Sequence, residues 1–322
     1  MSDEINLDEA TDEMHGMVLS VLPPDFLDLT DIDQARVRLD AVLGAMEAPP
    51  MPTDVEVSEM HVPGIDSDPD VRIKLYRPNN LAANAPGLLW IHGGGMVLLD
   101  ADSDDLACAT RASAHQCLVV SVDYRLAPET PAPGLVHDCY AAFLYMANNA
   151  SELGIDPSRI VVGGASAGGG LAAGMAILAR DKGGPTPIAQ LLIYPMLDHT
   201  SSTPSSHGID DTRVWNRAAN ITAWAAYLGG GAPTAYSSPT TCDDLSGLPP
   251  AYINIGTLDI FLDEDIAYAS ALNRAGVPCE LHVYPGAFHA SPNFLPDHPM
   301  SQRWHADEAA FLDRALSDNL ND

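Results

Sequence analysis

The stretch Ile160-Val161-Val162-Gly163-Gly164-Ala165-Ser166-Ala167-Gly168-Gly169 decides the reading of this chain. An apolar run leads into a G-x-S-x-G turn at Gly164–Gly168, and a helix-forming run follows. This strand–turn–helix context is the one in which the motif presents a nucleophilic serine. The small residues have a steric reason: a tight turn brings backbone so close that a side chain at Gly164 or Gly168 would collide with it. Ser166 then heads a helix whose exposed N–H groups favour developing negative charge. A serine in a Gly/Ala-rich turn is the bland alternative, and the strand before and helix after tell against it. The same residues carry a rival pattern, Gly168-x-Gly170-x-x-Ala173, which matches a dinucleotide fingerprint. Those glycines fall inside the expected helix, and neither Asp181 nor Asp198 is placed where that motif needs its acid.

Outward from this turn, strands and helices alternate. Strands are expected at 55–62, 71–76, 87–92, 117–123, 159–162, 189–194, 251–255 and 280–284. Helices are expected at 101–116, 135–148, 167–180, 264–275 and 302–317. Continuous apolar strands separated by helices imply an α/β fold with a mainly parallel central sheet flanked by helices on both faces. The first 50 residues read as helical, clearest at 31–46, and Pro49, Pro50 and Pro52 end that segment. Asp198 to Asp244 breaks the rhythm with Ser, Thr, Gly and Pro around a helical patch at 220–228, and reads as an insertion between two core strands.

Chemistry-bearing residues gather at the expected strand ends. His92-Gly93-Gly94-Gly95 follows the strand at 87–92, and consecutive glycines let backbone N–H groups approach within about 3 Å of an oxyanion. Lying 74 residues (166 minus 92) before the elbow, the loop is far more specific than HGGG alone. Ala167, the residue after the serine, supplies the other N–H, and His92 is expected to be structural. Acid and base follow such a serine in the order Asp or Glu, then His. Asp259 lies just past the strand at 251–255 and His289 just past that at 280–284, both where ligands bind in parallel sheets. His289 would take the serine proton and return it to the leaving group, and Asp259 would fix its tautomer. Asp263 is the main rival acid, although its place at a helix start suits capping; Asp198 is a weaker rival. His137 and His282 read as packing or surface residues.

Composition narrows the partners. Against 44 Asp and Glu stand 15 Lys and Arg, a net charge of −29, which disfavours nucleic acid and anionic membranes. Salt-rich surroundings and compositional drift both account for such acidity. No apolar run approaches the roughly 20 residues of a membrane span, and the acidic start does not read as a signal peptide. The five cysteines, Cys108, Cys117, Cys139, Cys242 and Cys279, include no C-x-x-C pair. They are expected as buried free thiols in a reducing cytoplasm, with no disulfide framework, no metal site and no cofactor.

Taken together, His92–Gly95, Asp123-Tyr-Arg-Leu-Ala-Pro-Glu129, Gly164-Ala-Ser-Ala-Gly-Gly169, Tyr194-Pro-Met-Leu-Asp198 and the Asp259 and His289 segments resemble the hormone-sensitive-lipase-like, or family IV bacterial, esterases of the α/β-hydrolase fold. The resemblance covers about residues 88 to 292. It implies a Ser166–His289–Asp259 triad, oxyanion N–H groups from Gly94, Gly95 and Ala167 with Gly93 shaping the loop, and a small-molecule ester as substrate. It also implies a helical cap made of 1–50 and 198–235 over a core of 51–197 and 236–322, and it leaves room for a homodimer. Three positions depart from the family's usual pattern: Ala165 replaces an acidic residue, Met96 an aromatic, and Ala290 a glycine. They bear on acyl-pocket shape and pH profile rather than reaction type. The expected activity is hydrolysis of short-chain carboxylic esters. An amidase, formamidase or lactonase with the same triad is the alternative, and a non-catalytic receptor on this scaffold the more distant one.

Overall fold

A computed structural model of the chain describes residues 4–45 and 49–317. Met46, the end of the expected N-terminal helix, lies outside the described residues, as do 1–3, 47–48 and 318–322 of the expected segments. In chain order the main elements are α1 (Leu7–Ala10), α2 (Glu13–Val21), α3 (Ile32–Ala45), β1 (Val55–Val62), β2 (Val71–Pro78), β3 (Ala85–Ile91), α4 (Asp105–His115), β4 (Leu118–Asp123), α5 (Gly134–Asn148), α6 (Ala150–Leu153), β5 (Ile155–Ala165), α7 (Ala167–Lys182), β6 (Ala189–Ile193), α8 (Arg217–Leu228), β7 (Ala251–Leu258), α9 (Leu262–Arg274), β8 (Cys279–Phe288), α10 (Ser291–Phe294) and α11 (Pro299–Leu316).

The eight strands form one sheet in the order β1-β2-β4-β3-β5-β6-β7-β8. Pairing is antiparallel for β1–β2 and β2–β4 and parallel from β4 through β8. Central strands such as β3 and β4 are buried and mainly apolar, Ser121 and Asp123 of β4 aside, because helices cover both faces and leave no solvent side. Edge strand β1 is mostly exposed and carries polar residues accordingly. From β3 the chain crosses through α4 to β4 on one side. From β5 it crosses through α7 to β6 on the other. Right-handed crossovers therefore place α4 and α7 on opposite faces, and a crevice opens between the C-terminal ends of β3 and β5.

Several expectations shift in detail. The single helix expected at 101–116 is a 3₁₀ turn, Ala101–Asp104, followed by α4. Asp100 caps that turn by accepting from Ser103 N–H at 3.0 Å. The strand expected at 159–162 runs from Ile155 to Ala165, and β8 continues to Phe288. Both extensions pass through polar or turn-prone residues, Asp156-Pro157-Ser158 and Pro285-Gly286, that carry no strand pattern. The one-turn helices α1, α6 and α10 are too short to show a 3.6-residue period. Cys242 and Cys279 are part-exposed, not buried as expected; only Cys108, Cys117 and Cys139 are buried.

Segments 4–45 and 198–235 meet each other above the C-terminal edge of the sheet. Ile5 N–H donates to Gly208 O at 2.7 Å, and Leu27 N–H to Thr212 O at 2.8 Å. Arg213 bonds Leu19 O at 3.3 Å and pairs with Asp8 at 3.0 Å. Among the described residues no helix is long and apolar enough to cross a membrane.

Candidate active site

The elbow at Ser166 is built by close approach of backbone. A Cβ on Gly164 would lie 2.4 Å from Gly168 C, and one on Gly168 would lie 2.0 Å from Ile91 O. Glycine at both positions lets α7 press against the ends of β5 and β3. The rival dinucleotide pattern is thereby given another role: Gly168 and Gly170 lie within α7 and pack it on neighbouring backbone, with Met196 O 2.0 Å from a Cβ on Gly170. Ser166 sits at φ 56°, ψ −120°, a strained backbone for a residue with a side chain. Its N–H donates to Ile193 O at 2.8 Å, and its carbonyl accepts from Met196 N–H at 2.9 Å and Gly170 N–H at 3.0 Å. Those bonds hold the strain in place.

The structure brings Ser166, His289 and Asp259 together. Ser166 Oγ lies 3.0 Å from His289 Nε2, and His289 Nδ1 donates to Asp259 Oδ2 at 2.7 Å. Asp259 Oδ1 accepts from Phe261 N–H at 3.0 Å, so both carboxylate oxygens are committed. Asp259 is the residue after β7 and His289 the residue after β8, so sheet ends set their spacing. All three side chains are buried. Tyr194 and Phe261 meet the imidazole edge-to-face at 4.7 and 5.2 Å and fix its plane.

The rival acids are elsewhere. Asp263 Oδ2 accepts from Ser205 N–H at 2.7 Å, tying α9 to the inserted segment. Asp198 bonds Thr200 in its own loop at 3.0 and 2.8 Å. Two further carboxyls stand beside Asp259. Burial pushes Glu264 and Asp265 well above the usual carboxylate range, and the Asp259 charge adds to the effect.

The glycine loop comes from the end of β3. A Cβ on Gly93 would lie 3.6 Å from Ser166 Cβ, so the loop runs alongside the serine. Gly94 and Gly95 have φ of +103° and +61°. Ala167 opens α7, where first-turn N–H groups lack helical acceptors. His92 is fully buried, donates from Nδ1 to Gly93 O at 2.8 Å, and stacks on Tyr124 at 4.1 Å. Burial lowers its pKa, and a ring so enclosed serves the loop's shape. Tyr124 Oη donates to His92 O at 3.0 Å and Gly93 O at 3.1 Å.

Sequence reading missed Arg36 and Trp215. From α3, Arg36 donates to Val97 O and Ala127 O, both at 2.9 Å, and pairs with Glu129 at 2.7 Å. One side chain thus ties the N-terminal segment to the loop following HGGG. Glu129, in the Asp123–Glu129 block, was the visible signal: its carboxyl, bonded by Arg36, falls to a pKa of about 2. Trp215 carried no signal at all, being one aromatic in a Ser/Thr-rich insertion.

Among the described residues, Asp12, His15 and His298 gather three donor atoms of the kind that hold a cation, within 4.8 Å of one another. Asp12, His15 Nδ1 and both His298 nitrogens already have protein partners, while His15 Nε2 is buried without one. His298 Nδ1 accepts from Met300 N–H at 3.2 Å, so its proton is on Nε2, facing Asp12 at 3.2 Å. His15 Nδ1 shares the same carboxylate at 3.0 Å. The group suits a bridge from α2 to the start of α11, and His15 also packs edge-on against Phe288 at 5.5 Å.

The model of one protein family, described as an alpha/beta hydrolase fold, matches residues 88–293. The chain is 37% identical over 310 residues to carboxylesterase NlhH of Mycobacterium tuberculosis, across 95% of this chain and 96% of that one. It is 37% identical over 273 residues to carboxylic ester hydrolase LipN of the same organism, across 82% and 71%. The solved structure titled bacterial heroin esterase superposes with a TM-score of 0.92 at 42% identity, across 97% of this chain and 100% of that one.

Proposed function

The chain belongs to the α/β-hydrolase family, in its hormone-sensitive-lipase-like branch, and on that premise we propose that it cleaves short-chain acyl esters through an acyl-enzyme on Ser166. It is a carboxylic ester hydrolase, a serine esterase. The observation that carries the mechanism is the unbroken line Asp259–His289–Ser166, with links of 2.7 and 3.0 Å, ending beside the glycine loop.

In this reading Ser166 Oγ attacks the ester carbonyl as His289 Nε2 takes its proton. The carbonyl oxygen becomes an oxyanion and is met by N–H groups of Gly94, Gly95 and Ala167. His289 returns the proton to the alkoxide, the alcohol leaves, and water repeats the sequence on the acyl-enzyme. Asp259 holds Nδ1 protonated and stabilises the imidazolium. Segments up to about residue 50 and about 198–235 act as a cap over residues 51–197 and 236–322. A closed site supports short acyl chains: each methylene contributes about 0.8 kcal/mol only while it fits, and buried Met96 lies in the glycine loop. Five cysteines without a disulfide support a reducing, cytoplasmic setting. A homodimer is the assembly the resemblance favours, and sedimentation velocity tests it.

The test is kinetic. Ser166→Ala and His289→Ala should each lower kcat by several orders of magnitude. The double variant should be about as slow as either, because the two act as one unit. An organophosphonate should label Ser166. Over p-nitrophenyl esters of rising acyl length, kcat/KM should peak at short chains, with ester rates above those of matched amides and lactones. Additive losses, labelling elsewhere, or rates rising through long-chain lipids would overturn the assignment.

A further inference from the structure

We propose that Trp215 is a specificity-determining residue that walls the leaving-group side of the site and favours flat alcohols over thick, saturated ones. The inference rests on the ester-hydrolase reading and deepens it. Trp215 comes from the inserted segment, between Val214 and the α8 N-cap Asn216, and is only 4% exposed. Its six-membered ring lies directly on Gly95. A Cβ there would come within 2.1 Å of Cη2 and 2.8 Å of Cζ2. The ring centre is 6.4 Å from that of His289, tilted by 38°. The indole is therefore seated on the glycine loop beside the imidazole.

Its orientation is locked. Nε1 donates to Asn220 Oδ1 at 3.2 Å, and Asn220 Nδ2 donates to Ser201 Oγ at 2.8 Å. Asn220 is fully buried, so this amide has no competing water. A ring held by a buried hydrogen-bond chain is a fixed wall rather than a swinging one.

The chemistry says which part of the substrate meets it. In acyl transfer the carbonyl oxygen points at the glycine-loop N–H groups, and the departing oxygen must come within about 3 Å of His289 Nε2. A group that touches Gly95 and lies beside His289 borders the volume between those two points, where the alcohol begins. A planar alcohol can lie offset along the indole face, an arrangement that contributes about 2- to 10-fold in preference. A thick saturated ring has to displace the wall.

The experiment compares two substrate series in the full-length wild type, Trp215→Phe and Trp215→Ala. One series holds acetyl constant and varies the alcohol: ethyl, phenyl and cyclohexylmethyl. The other holds p-nitrophenol constant and varies the acyl group from acetyl to hexanoyl. Trp215→Ala should raise the cyclohexylmethyl-to-phenyl ratio of kcat/KM at least tenfold and shift the acyl ratio less than threefold. Trp215→Phe keeps an aromatic ring at this position but lacks the outer ring atoms that reach Gly95, and should move the alcohol ratio the same way by about two- to threefold, which preserves the test where the alanine variant does not fold. A shift in the acyl series instead, or a uniform loss with both ratios unchanged in the phenylalanine variant, overturns the proposal. A wild type inert toward every acetate would instead strike at the ester-hydrolase reading.

Discussion

Replacing Asp259 with asparagine discriminates sharply, because both carboxylate oxygens are in use. Oδ1 accepts from Phe261 N–H at 3.0 Å and Oδ2 from His289 Nδ1 at 2.7 Å. Asparagine offers one acceptor and one donor. With its oxygen toward Phe261, the NH₂ faces Nδ1 and forces the imidazole proton onto Nε2, so the ring cannot take a proton from Ser166. The opposite placement sets NH₂ against a buried N–H, which costs about 1–3 kcal/mol, a factor of roughly 5 to 150 against it. Even the productive minority lacks the charge-assisted bond to the imidazolium, a further 1.5–3 kcal/mol or so. The product is a fall in kcat of about 10² to 10⁴, its upper end matching the roughly 10⁴ known for this change in serine proteases. Steady-state hydrolysis of p-nitrophenyl acetate measures it, with a thermal melt to show that the fold survives. Asp263→Asn is the control. Its carboxylate holds Ser205 N–H at 2.7 Å, away from the imidazole, so its kcat should change only about threefold or less. An Asp259→Asn enzyme within tenfold of wild type, or a larger loss at Asp263, would refute the reasoning.

Three further outcomes are expected. Gly168→Ala would place a Cβ 2.0 Å from Ile91 O and 2.5 Å from His92 O, both backbone atoms, so a melt should show about 1–3 kcal/mol of destabilisation or more, and kcat should fall as β3 and its loop move away from Ser166; an unchanged melt and rate would contradict the packing described. Asp265 is buried and its pKa is raised, so its contribution is complete below the ordinary carboxylate value and is lost as pH climbs toward the folded one, at about 1.4 kcal/mol per pH unit. Melts of Asp265→Asn should gain on wild type as pH rises above the ordinary carboxylate range; a constant offset would show that the residue does not titrate between the two states. Finally, a net charge of −29 implies mutual repulsion, and salt cuts the Debye length from about 10 Å at 0.1 M to about 3 Å at 1 M; the melting temperature should rise with NaCl more than with a neutral osmolyte, and a flat response would remove the salt-adaptation reading.

What the sequence by itself determined is whatever short-range pattern encodes. Buried parallel strands are apolar throughout, so the runs before Gly164 and His92 announced themselves, as did the glycines where backbones must touch. Ser166, Asp259 and His289 each lie just past an expected strand, which is why three residues up to 123 positions apart were legible singly. Tertiary structure decided how they combine. The place of β4 between β2 and β3, and with it the crevice at β3 and β5, depends on pairings no local pattern records. Asp259 and Asp263 are four residues apart with the same chemistry, and only the packing of α9 turns one to the imidazole and the other to Ser205. Trp215 carries no periodic or motif signal, and Arg36 is signalled only by its partner Glu129, because each acts on the glycine loop from a segment distant in sequence. Local pattern reports the environment a residue needs, whereas long-range packing decides which neighbour supplies it.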